Sequence, residues 1–180
     1  YDGESIGLSI PDDFENAITH IIGEGQAAIN HPTLGWIGSL SEFKATDGYW
    51  VNVDSSISDF YFNGCDSRDC SESCSDVADG REENINGLMD YEYNQSMGQA
   101  FYFFESIDNI KQGDWILAYN GDNVIGSRQW QGNIIDVPTM GYDGTEYTAG
   151  YMEGGEVPTF KLLTDGELID LEGDIPTWSN

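Results

Sequence analysis

The chain carries 33 Asp and Glu against 6 Lys and Arg, a formal net charge of −27 over 180 residues. Compact folding at that charge density sets like charges against one another, so a folded form needs an offsetting source of positive charge. Divalent cations supply it economically, because Asp, Glu, Asn and backbone carbonyl oxygens are the ligands Ca2+ prefers. The same balance excludes nucleic acid as a partner, since phosphate binding needs clustered bases. Lys44, Arg68, Arg81, Lys111, Arg128 and Lys161 stand singly.

Apolar content is still enough for a core. Hydrophobic residues make up 39% and aromatics 13% of the chain, which argues against disorder despite the acidity. The 22 Gly fall mostly between short apolar runs and point to tight turns and short strands. No apolar run reaches the roughly 18 to 20 residues that span a bilayer, so no membrane insertion is expected. Residue 1 is Tyr and no apolar leader precedes it, as in a processed secreted chain or an excised module.

The cysteines, Cys65, Cys70 and Cys74, share one short window. In an oxidising setting they give a local disulfide with one sulfur left over, in a pairing that spacing does not define.

Along the chain, residues 4–10 alternate polar and apolar up to Pro11 and read as a strand with Ile6, Leu8 and Ile10 on one face. No tight turn returns it onto the next segment. Asp12 with Glu15 fits a capping box, and Phe14, Ile18, Ile21 and Ile22 form a helical stripe, so a helix is expected over 12–22, with His20 off the stripe and solvated. Residues 35–38, 48–53 and 57–62 read as short strands. Residues 65–92 form an acidic, cysteine-containing loop. Beyond it, strands are expected over 99–104, 115–119, 124–130, 147–151, 159–163 and 168–171. Asn120-Gly121 gives a strong hairpin signal between the second and third of these. The expected fold is mainly β: a small α+β part over 1–64, the loop over 65–92, and a β-sandwich or jelly roll over 93–180.

The run GWIGSLSEFKATDGYWV from Gly35 to Val51 resembles a β-rich extracellular module of large secreted surface proteins of Bacteroidota-like aquatic bacteria, proteins associated with type IX secretion. NQSMGQAFYFF from Asn94, GDWILAYNGD from Gly113, GSRQW from Gly126, DVPTMG from Asp136, GYM from Gly150 and VPTFK from Val157 resemble a second module of the same proteins. The resemblance implies extracellular or cell-surface residence and carries no chemistry to transfer.

Catalytic motifs are missing. There is no Gly-x-Ser-x-Gly elbow, no His-Glu-x-x-His pair and no phosphate-cradling glycine loop, and the only histidines are His20 and His31. With 33 acids, some pair always has glycosidase spacing, so that signal decides nothing. No enzyme is expected. For Ca2+ the candidate ligands are Asp114, Asp122, Asp136, Asp143 and Glu146, which flank strands and turns; solvated turn residues are the plain alternative. For glycans the candidates are the Trp rings: Trp50 and Trp115 read as core, Trp130 and Trp178 as freer to stack. The sequence therefore reads as a calcium-stabilised structural subunit of a filament, surface layer or adhesive appendage. Copies would join head to tail by donating the strand that bears Ile6, Leu8 and Ile10. A carbohydrate-binding module, and after it a glycan-active enzyme, are the alternatives.

Overall fold

The computed structural model describes residues 5–44, 47–62 and 91–179. Contacts divide the chain into two units, Tyr1–Asn84 and Ile85–Asn180. Cys65, Cys70, Cys74 and nearly all of the acidic loop lie outside the described residues. The fold is mainly β.

The first unit has two single helical turns, α1 (Ile6–Ser9) and α2 (Asp12–Glu15), followed by β1 (Ile18–Gly23), β2 (Gln26–His31), β3 (Gly35–Gly38) and β4 (Trp50–Val53). The antiparallel sheet has the order β3-β2-β1-β4. Residues 5–10 are thus not a strand. Apolar residues at 6 and 10 satisfy a helical i,i+4 face as well as a period of two. The turn is closed by the Ile10 N–H donating to the Ile6 carbonyl at 3.1 Å and the Ser9 hydroxyl donating to the Ser5 carbonyl at 3.1 Å. Ile6 and Ile10 are buried with Ile18, Ile21, Ala28, Leu40 and Phe43, whereas Leu8 is 69% exposed.

The expected helix over 12–22 stops at Glu15. Residues 18, 19, 21 and 22 are all β-branched, and the packed sheet rewards them more than a helix does. A register shift between Ile18 and His20 lets Ile18 and Ile21 face one core three residues apart, which mimics helical spacing. Glu15 makes no capping bond; its Oε1 accepts the Trp36 indole N–H at 2.8 Å. His20 lies half-buried in β1, where loss of water lowers its pKa. Residues 57–62 form no ladder, because Asp59 sits at φ +57 and breaks the extended run. Phe60 and Tyr61 instead pack on Phe14, each with centroids 5.4 Å apart.

The second unit pairs β5 (Gln99–Phe104) with β8 (Ile135–Met140). Its larger sheet has the order β10-β9-β6-β7, from β6 (Trp115–Asn120), β7 (Asn123–Gln129), β9 (Thr159–Thr164) and β10 (Glu167–Leu171). Both β6–β7 and β9–β10 are two-residue hairpins. Asp165 and Gly166, at φ +50 and +83, make the second a turn with two left-handed residues. All of β8 is buried, and β7 crosses it so closely that a Cβ on Gly126 would lie 1.7 Å from the Pro138 carbonyl oxygen. The sandwich-like core holds Ile116, Ile125, Val137, Met140, Met152 and Phe160 together with Trp130 and Trp178.

Two further expectations change. Residues 147–151 contain the end of a 3-10 turn, Glu146–Thr148, not a strand. Here the Thr145 and Thr148 hydroxyls both donate to Asp143 Oδ1, a local alternative to ladder bonding. The tryptophans also differ from expectation: Trp130 and Trp178 are core residues, Trp115 is half-buried in β6, and Trp50 is 68% exposed. Trp178 is anchored by its indole N–H donating to the Thr139 carbonyl at 3.1 Å.

Candidate functional site

Strand β4 ends the sheet of the first unit, and among the described residues its ladder partner is β1 alone. Trp50 stands opposite Ile22, Val51 opposite Ile21, Asn52 opposite His20 and Val53 opposite Ile18. Gly48 and Asp54 bracket the strand in sequence, and the Asp54 N–H donates to the Ala17 carbonyl at 3.0 Å. The Thr19 hydroxyl fixes the register by donating to Asn52 Oδ1 at 2.9 Å. All four β4 side chains are exposed, and three of them are apolar. Sheet edges usually carry charge or proline that discourages pairing with another chain; within β4 there is neither.

Strand β10 is one edge of the larger sheet in the second unit. It exposes Leu168 and Ile169, but Glu167 and Asp170 interrupt the apolar surface. Lys161 on β9 reaches across to Asp170 at 3.2 Å. The two edges therefore differ: one apolar, the other apolar with charged flanks.

The acids proposed as Ca2+ ligands each have their own local surroundings. The Asp114 carboxylate accepts the Lys111 backbone N–H at 2.9 Å. Asp122 occupies the β6–β7 turn, and Asp136 is fully buried beside Arg128 at 3.0 Å. Asp143 Oδ1 accepts bonds from the Thr148 and Thr145 hydroxyls and the Thr145 N–H, which hold its carboxyl far below the usual range. Glu146 opens the 3-10 turn and is exposed. Among the described residues, no three side chains of His, Cys, Asp or Glu group as a metal shell. Of the residues proposed for assembly, Ile6 and Ile10 serve their own unit's core and Leu8 alone faces outward.

Reading the sequence missed the β4 edge because Trp50 alternating with Val51 and Val53 looks the same in an edge strand as in a central one. The available signal was the polar context on both sides, Asp47-Gly48 before the strand and Asp54-Ser55-Ser56 after it. Comparison of the chain with protein-family models, with curated proteins and with solved structures gives no match.

Proposed function

We propose that this chain is an extracellular structural module that associates with copies of itself through the apolar edge strand β4. The observation that carries the reading is the exposure of Trp50, Val51 and Val53 along an edge of backbone hydrogen-bonding groups. A strand of a second copy laid beside β4 gains backbone bonds and covers these side chains, each worth roughly 1.5–3 kcal/mol if fully buried. Pairing β4 of one copy with the unlike β10 edge of the next leaves an edge of each kind free, and a filament grows when the rotation between copies does not close a ring. Edge pairing takes the place of strand donation, since Ile6 and Ile10 fill their own unit's core. Secretion agrees with the acidity and with the resemblance to bacterial surface modules. Ca2+ is the counter-charge that lets such acidic copies approach.

Sedimentation velocity in millimolar Ca2+ tests the reading. The unaltered chain is expected to give large species, Trp50→Lys a monomer, and Leu8→Lys the same large species as the parent. A parent that stays monomeric, or assembly that survives Trp50→Lys, contradicts it.

A further inference from the structure

Asn94-Gln95-Ser96 is the one Asn-x-Ser or Asn-x-Thr sequence in the 180 residues. Such a sequence accepts N-linked glycans when the middle residue is not Pro and the segment is a surface loop. Both conditions hold: residues 92–96 are in neither helix nor strand, and Asn94 and Gln95 are exposed. Hydrogen bonds tie this loop to residues 141–151. The Asn94 N–H donates to the Tyr151 hydroxyl at 2.8 Å, and Asn94 Nδ2 donates to the Tyr147 carbonyl at 2.9 Å. The Ser96 hydroxyl donates to the Gly141 carbonyl at 2.6 Å, and the Met97 N–H donates to the Asp143 carboxylate. The bonded segments carry three large side chains that stand in water: Met97 is 85% exposed, Tyr147 78% and Tyr142 48%. Apolar surface held out among polar residues in this way marks a place that something covers.

We infer that Asn94 carries an N-linked glycan whose first sugars lie over Tyr147 and Met97. The donor is a lipid-linked glycosyl pyrophosphate. Its C1–O bond breaks, the pyrophosphate leaves with the electron pair, Nδ2 bonds to C1, and one amide proton passes to a base. An unmodified Asn amide has two hydrogens, and the fold engages one of them with Tyr147. The substituted amide keeps one hydrogen, so the glycan and that bond coexist. The Ser96 hydroxyl, on which transfer depends, is held in the fold: besides its bond to Gly141 it accepts the Gly98 N–H at 3.1 Å. Transfer therefore precedes closure of the loop. Sugar rings present apolar C–H faces that pack on an aromatic ring such as Tyr147, and a glycan rooted at Asn94 starts beside that residue.

The inference rests on the extracellular part of the reading above and is independent of edge pairing. Peptide mass spectrometry of the full chain, isolated from the cells that make it, tests the site. A glycan mass is expected on the peptide that bears Asn94. Asn94→Gln and Ser96→Ala should each abolish it, while Ser96→Thr, which keeps the hydroxyl, should retain it. A mass that survives Ser96→Ala would overturn the site. Unmodified Asn94 in chain recovered from the medium would overturn the glycan and leave the extracellular reading standing. Unmodified Asn94 in chain that stays inside the cell would overturn both. Peroxide oxidation tests the covering: Met97 should oxidise several-fold more slowly in the glycosylated parent than in Asn94→Gln. Equal rates would overturn the placement of the sugars over Met97.

Discussion

Arg128 on β7 meets Asp136 on β8 at 3.0 Å, and Asp136 has no exposed surface. The guanidinium also donates through Nε to the Asp136 backbone carbonyl at 3.0 Å, so one side chain binds both the carboxylate and the strand that carries it. The pair sits where the glycine at 126 lets β7 pass close over Pro138. Tyr93 lies in the same surroundings, and burial raises its phenol pKa.

Breaking the pair from one side leaves an uncompensated charge out of water. Arg128→Met is expected to destabilise the second unit by about 3–5 kcal/mol. The double variant Arg128→Met with Asp136→Leu should recover much of that loss. Urea unfolding followed by Trp fluorescence measures both, and a loss under about 1 kcal/mol in Arg128→Met would show that the pair is solvated.

The N-terminal turn gives a contrast within five residues. Ile6→Ala removes a side chain that is 1% exposed and should cost about 2–5 kcal/mol in the first unit. Leu8→Ala should change stability by no more than about 0.5 kcal/mol. Thermal unfolding monitored in parallel on the two variants distinguishes them. Equal small effects would return this segment to the role of a free strand.

These residues show where the sequence was legible and where it was not. Asn120-Gly121 marked its hairpin because a two-residue turn has local conformational requirements. Asp165-Gly166 carried the same signal for β9–β10. Strand β8 was hidden by Pro138, which argues against a ladder position. Residues 6–10 and 18–22 misled because period two, period 3.6 and a bulged strand coincide over so few residues. The burial of Trp178 depends on a partner 39 positions away, Thr139, and no local pattern encodes that contact. The Asn120 amide ties its hairpin to the Gly150 carbonyl 30 residues further on, and such a bond has no spacing rule to betray it.

Asp143 predicts an acid limb of stability. Bonds first from the Thr148 hydroxyl, then from Thr145, lower its folded pKa below the unfolded value. Its contribution is therefore full above the ordinary carboxylate pKa, about 4, and is lost as pH falls from there toward the folded value. Asp143→Asn should lower the melting temperature at pH 7, with the difference from the parent shrinking below about pH 4. A difference that stays constant from pH 7 to pH 2 would contradict the hydrogen-bond account.

The edge-pairing claim is tested most directly by hydrogen–deuterium exchange of the backbone amides of residues 50–53 at increasing protein concentration in Ca2+. Pairing with a second copy closes the side of β4 away from β1, so protection there should rise with concentration, while β2, inside its sheet, shows no change. Exchange in residues 50–53 that is independent of concentration, under conditions where large species are present, would contradict the claim and place the contact elsewhere.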